Sequence, residues 1–175
     1  MPISFRNSES QYGLGARLLH WSSVALLVTL ILTAAEFEDL DASPDKLGLI
    51  RQHASYGLIF LFLMSLRLFW RCTNQNPVHS YNIKSWQKFG AHFLHWGIYL
   101  IVITQSLTGL CNLVFAGSEI PFFKLVEIPA LTGKHDELHG FFSSIHYVIS
   151  IVIYPLFFIH ISAAIYHQLF GVLDD

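Results

Sequence analysis

Charge is scarce in this chain: of 175 residues only 13% are charged, against 53% hydrophobic, and the mean hydropathy is +0.49. So little charge excludes an ordinary soluble domain. The net charge of −2, with no basic run, excludes a nucleic-acid-binding surface as the organising feature. Two cysteines, Cys72 and Cys111, fall in different segments at different depths, so no disulfide is expected, and without a C-x-x-C-H there is no covalent c-type haem attachment. Internal repeats and low-complexity segments are absent. The first fifteen residues are mixed and polar, with no small-residue cleavage site behind a short apolar core, so no cleavable signal peptide is expected.

What the chain has instead is long apolar runs, several approaching the 18 to 20 residues that cross about 30 Å of hydrocarbon. The runs predict an all-α membrane protein of one domain, with four spans at about 16–35, 53–71, 92–115 and 142–167. They are too continuously apolar for barrel strands, and only helices then satisfy the backbone in lipid. Between the spans lie an acidic loop, EFEDLDASPDKLGLIRQ, a basic polar loop, RCTNQNPVHSYNIKSWQK, and a longer mixed loop, AGSEIPFFKLVEIPALTGKHDELHG. The amino terminus and second loop, with the adjoining helix ends, hold six cations, Arg6, Arg17, Arg67, Arg71, Lys84 and Lys88; the first and third loops hold four, Lys46, Arg51, Lys124 and Lys134. That asymmetry puts both termini in the cytoplasm. Pro155, inside the fourth span, removes a backbone donor and predicts a bend.

Ten histidines against two methionines is the compositional anomaly. His146 and His160 stand fourteen positions apart in the fourth span, which returns the second imidazole to within about 40° of the first and separates them by about 21 Å. With the spans in alternating directions, His20 in ARLLHWSS matches the depth of His160, and His53 in IRQHASYG matches that of His146. Histidines inside a membrane segment are costly and mark ion, proton or redox sites. No acidic residue lies within any span, which excludes a di-iron carboxylate bundle, and structural zinc wants four close ligands, usually with thiolates. Bis-imidazole coordination of a flat macrocycle needs one histidine from each of two facing helices and small residues where the ring passes. Gly57, Gly109 and Ala34 sit where the outer ring would pass, and Arg67, fourteen positions after His53, brings a cation to the inner depth for a propionate or a quinone head group. His92 and His95 at the entrance of the third span read as interfacial residues, and His79, His135, His139 and His167 as near-surface ones. The single HxxH of His92 and His95 is too little for a di-iron desaturase or hydroxylase. The tryptophans fit interfacial belts.

The segments RLLHW, QHASYGLIFLFLMSLRLFWR and AHFLHWGIYLIVITQSLTGL, followed by IH at 145–146 and again in IHISAAIYHQ, resemble the bacterial cytochrome b561 family, which is related to the cytochrome b subunits of nickel-iron hydrogenases. The resemblance runs from about Tyr12 to Phe170. It implies a four-helix inner-membrane bundle holding two non-covalent haems b, one between His20 and His160 and one between His53 and His146, and electron exchange with the quinone pool. It also places Arg17, Arg67 and His167 near the inner haem or quinone. Tyr147 stands where the family often has Glu after the ligand, and the usual basic tail ends here in Asp174 and Asp175. Two functions follow from the resemblance. One is electron transfer between a periplasmic-side donor or acceptor and quinone, superoxide oxidation included; the other is a haem-bearing membrane anchor for a partner dehydrogenase or hydrogenase. The outer cations Lys46, Arg51, Lys124 and Lys134 would attract a small anion, against nine acidic residues in the same loops.

Overall fold

The computed structural model describes residues 4–75, 77, 85–123 and 125–170, with side chains left out at 85–88, 167, 168 and 170. Four helices, α1 Leu14–Glu38, α2 Pro44–Thr73, α3 Ser85–Phe115 and α4 Asp136–Phe170, account for most of them. Each is long and apolar enough to cross a membrane. Outward-facing residues such as Leu32, Phe62, Phe93, Leu100 and Phe158 are each more than 60% exposed, as a lipid-facing surface requires. Hydroxyls within the spans bond back to the preceding turn, Ser23 to Leu19 O, Ser65 to Leu61 O and Ser106 to Val102 O, so that they carry no unsatisfied donor into lipid.

The helices are longer than the apolar runs, for local reasons. At α2, Ser43 accepts a hydrogen bond from Lys46 N, Pro44 occupies the first turn and Asp45 follows, which starts the helix nine residues before the expected 53. Much of the acidic loop is therefore helical, and the α1–α2 connection shrinks to residues 39–43. Helix α4 likewise begins six residues before the expected 142, with Asp136 and Glu137 in its first turn. At α1 no side chain caps the helix; the amino-terminal segment folds back, and Ser4 O and Phe5 O accept from Leu14 N and Gly15 N. That segment crosses so close that a Cβ on Gly13 would lie 2.4 Å from Arg6 O. Phe5 then meets the Trp70 ring edge-on at 5.4 Å, tying the chain start to the end of α2.

The mixed third loop contains an antiparallel hairpin that its sequence did not disclose: β1 Ile120–Phe122 pairs with β2 Val126–Ile128. Ser55, wholly buried on α2, pins it by accepting from Phe123 N at 2.8 Å, while its own hydroxyl is shared between Arg51 O at 2.8 Å and Pro121 O at 3.2 Å. Arg51 and Glu127 add an ion pair.

Close backbone packing joins α1 to α2, α2 to α3 and α3 to α4. The core lies where α1, α2 and α3 converge, around Leu27, Leu30, Phe60, Met64, Ile98, Tyr99 and Val102, and α4 closes on it through Leu156 and Phe157. Helix α4 continues through Pro155. The end of the bundle where α1 starts is termed inner, and the end bearing the hairpin outer.

Candidate functional site

Four histidines from three helices face one another in two cavities. At the inner end the rings of His20 on α1 and His160 on α4 have centres 6.5 Å apart, in a cavity of about 410 Å³ also lined by Arg67, His95 and Tyr99. At the outer end His53 on α2 and His146 on α4 are 6.4 Å apart, in a cavity of about 460 Å³. Both volumes suit a small-molecule ligand. The pairs lie on one side of α4 because fourteen residues separate its two histidines.

The outer pair is held by a matched device on two different helices. His53 Nδ1 lies 3.1 Å from Leu30 O and 3.1 Å from the Thr33 hydroxyl of α1. His146 Nδ1 lies 2.9 Å from Gln105 O and 3.2 Å from the Thr108 hydroxyl of α3. A carbonyl only accepts, so each Nδ1 carries the proton and each Nε2 keeps its lone pair. The Thr108 hydroxyl in turn donates to Gln105 O at 2.8 Å, and the Thr33 hydroxyl lies 2.9 Å from Thr29 O and 3.1 Å from Leu30 O. Gly109 makes room for the second ring: a Cβ there would stand 2.9 Å from His146 Cε1.

The inner pair is held differently. The Arg67 guanidinium, which can only donate, reaches His20 Nδ1 at 2.8 Å. It also lies 5.6 Å over the Tyr99 ring, and Arg71 stacks on Tyr99 and Trp96 at 5.8 Å each. Neither arginine has a carboxylate partner among the described residues.

Of the other residues singled out from sequence, Ala34, Gly57 and Gly109 all line the outer cavity. Arg17 is exposed on α1 and does not line the inner cavity. The side chain of His167 lies outside the described residues, as do His79, Lys84, Lys124, Asp174, Asp175 and the side chains of Trp86 and Lys88. His95, read as interfacial, turns into the inner cavity with its ring centre 5.6 Å from that of His160. His92, three residues before it, is exposed beside Trp96, so the two histidines of the HxxH do not converge. His139, read as near-surface, lines the mouth of the outer cavity and hydrogen-bonds Asn112 O. The outer cations are matched locally: Arg51 to Glu127, Lys134 to Asp136 and Lys46 to Leu40 O. Two of these cations, Arg51 and Lys134, are thus paired with carboxylates, which weakens anion attraction at that surface.

The donor set fits a haem. An ion held about 2.0–2.1 Å from each of two imidazole nitrogens, with about 1.1 Å from each nitrogen to its ring centre, sets the centres about 6.3 Å apart. The two facing pairs stand within a few tenths of an ångström of that spacing, and the outer pair presents free Nε2 lone pairs.

The family model described as prokaryotic cytochrome b561 matches residues 11–174. Among curated proteins, the chain is similar to "Cytochrome b561 homolog 2" of Escherichia coli (strain K12), with 19% identity over 172 residues that cover 95% of this chain and 89% of that protein. The match runs through all four helices and both cavities. The chain belongs to the prokaryotic cytochrome b561 family: it is a multi-pass membrane electron-transfer protein of a type that binds haem b.

Proposed function

We propose that residues 1–175 form a single di-haem domain that passes single electrons across the inner membrane, between a donor or acceptor at the outer face and quinone at the inner face, with both termini cytoplasmic. His20 and His160 would hold the inner haem, and His53 and His146 the outer one. The observation that carries this reading is the spacing of the two facing pairs, 6.5 and 6.4 Å at two depths. When bound, haem iron supplies the one-electron chemistry, and the protein sets ligands, burial and access.

Each residue has a defined task in this reading. Leu30 O and Gln105 O hold the outer imidazoles in the tautomer that offers Nε2 to a metal, and such partners fix ring orientation and raise ligand basicity. Ala34, Gly57 and Gly109 keep the outer cavity wide enough for a flat ring. Each haem would be held by two imidazoles of this chain, so neither pair would be left free to bind a donor or acceptor directly. Between the cavities stands a dry septum: Leu27, Phe60 and Val102, one from each of α1, α2 and α3, line both of them and are 8%, 3% and 1% exposed. Electron transfer between two haems so held would cross this buried apolar wall.

Arg67 has two roles available. Ligation through His20 Nε2 leaves the remaining ring proton on Nδ1, so ligation and the present Arg67 contact are alternatives. Released, the guanidinium beside Tyr99 would bind a propionate or a quinone oxygen. Arg17 and His167 are assigned to the same inner end on the family resemblance. A reduced-minus-oxidised spectrum with a pyridine haemochrome count tests the proposal: two haems b per chain are expected, and one or none would overturn it.

A further inference from the structure

His146 Nδ1–H donates to a backbone carbonyl of α3, that of Gln105. Helices α3 and α4 run antiparallel, so the carbonyl that should serve His160, fourteen residues after His146, is fourteen residues before Gln105. That residue is Ala91, and its carbonyl is already taken: His95 Nδ1 lies 2.6 Å from Ala91 O. Since the carbonyl only accepts, the His95 proton sits on Nδ1 and its Nε2 lone pair remains available on the side of the inner cavity. The His95 and His160 rings stand edge to face, 5.6 Å between centres at 84°. A direct hydrogen bond, with about 3 Å between nitrogens and about 1.1 Å from each to its ring centre, needs about 5.2 Å. Because 5.2 Å is the limit with both nitrogens in line, closing the difference takes a movement of one ring toward the other by about 0.4 Å. The 5.6 Å is, however, too short to seat an ion between the two rings in the manner of the 6.4 and 6.5 Å pairs.

We propose that His95 is a positioning residue for His160, accepting its Nδ1–H at Nε2 and relaying the contact to Ala91 O, in place of the direct backbone carbonyl that serves His146. The proposal rests on the two-haem reading and adds to it a tuning device for one site only. Withdrawing an acceptor from an axial histidine lowers its basicity and favours the reduced metal. The test is a redox titration of the haem-loaded protein, followed optically and by low-temperature EPR, on His95→Leu and His95→Gln.

His95→Leu is expected to keep two haems per chain, with the midpoint potential of one haem raised, its low-spin EPR signal moved and the other haem unchanged. His95→Gln, which keeps an acceptor oxygen, is expected to reverse most of the shift. The affected haem is the one that His160→Ala removes. Should His95→Leu lose that haem, near-parental potentials in His95→Gln would still support the relay, and their absence would overturn it. Unchanged potentials and signals in His95→Leu would overturn it as well, including where quinone turnover alone changes. So would retention of two low-spin haems in His20→Ala that is lost on adding His95→Leu, because His95 would then be an axial ligand. Retention of both haems in His160→Ala would overturn the assignment of His160 as a haem ligand, on which the proposal rests, whatever the His95 variants show.

Discussion

Gly109→Ala separates a shaped site from a merely roomy one. The added Cβ would stand 2.9 Å from His146 Cε1 and 3.2 Å from Nδ1. The ring cannot swing aside freely, because Nδ1 is bound to Gln105 O at 2.9 Å beside the Thr108 hydroxyl. Relief by half an ångström or more breaks that contact or forces χ angles off their minima. Overpacking of this kind costs about 1–3 kcal/mol, and a weakened hydrogen bond adds about 0.5–1.5 kcal/mol. The total is about 1.5–4.5 kcal/mol against the productive pose of His146, which at about 1.4 kcal/mol per decade is roughly 10- to 1,600-fold in outer-haem affinity. Haem titration into the haem-free protein, read at the Soret band, measures it. One site is expected to weaken by that factor while the other stays parental. Gly97→Ala, on the same helix but with nothing within 4 Å of its added Cβ, is the matched control and is expected to bind both haems normally. Parental binding at both sites in Gly109→Ala would refute the reasoning.

Thr33→Val and Thr108→Val each remove a hydroxyl beside an outer Nδ1. Each is expected to cost about 0.5–1.5 kcal/mol of outer-haem affinity, visible in the same titration, with the inner site unaffected. Arg67→Gln removes a charge-assisted contact of about 1.5–3 kcal/mol; quinone-linked electron transfer is expected to fall roughly 10- to 150-fold in a stopped-flow assay while the haem count stays at two. Ser55→Ala leaves the Phe123 N–H without its partner and unpins the hairpin, at about 1–3 kcal/mol. Faster proteolytic cleavage within the outer loop, with both haems retained, is the expected result.

The histidine pairing was legible because periodicity and depth are properties of a single helix. A fourteen-residue interval fixes the face and height of His146 and His160 whatever surrounds them, and alternating spans then set His20 and His53 opposite them. Gly57, four positions after His53, and Ala34, fourteen after His20, were reached by the same arithmetic. What escaped depends on how two helices mesh. Nothing in isolated sequence says that Leu30 and Gln105 would turn their carbonyls to a neighbour's imidazole, with Thr33 and Thr108 one turn on. His95 looked like an interfacial residue because its register against α4 is set by packing. The start of α2 at Ser43, Pro44 and Asp45 was missed because the acidic residues around them read as a loop. The hairpin was hidden because its strands are three residues long and pair only when Ser55 and Arg51 anchor them.

The central claim is that the four imidazoles act as two pairs, each spanning one haem. The most direct measurement is the haem content and spectrum of four single variants, His20→Ala, His53→Ala, His146→Ala and His160→Ala. His53→Ala and His146→Ala are expected to lose the same haem, and His20→Ala and His160→Ala the other, each variant keeping one low-spin haem. If His53→Ala and His146→Ala each spared a different haem, or if any of the four kept both, the pairing would be contradicted.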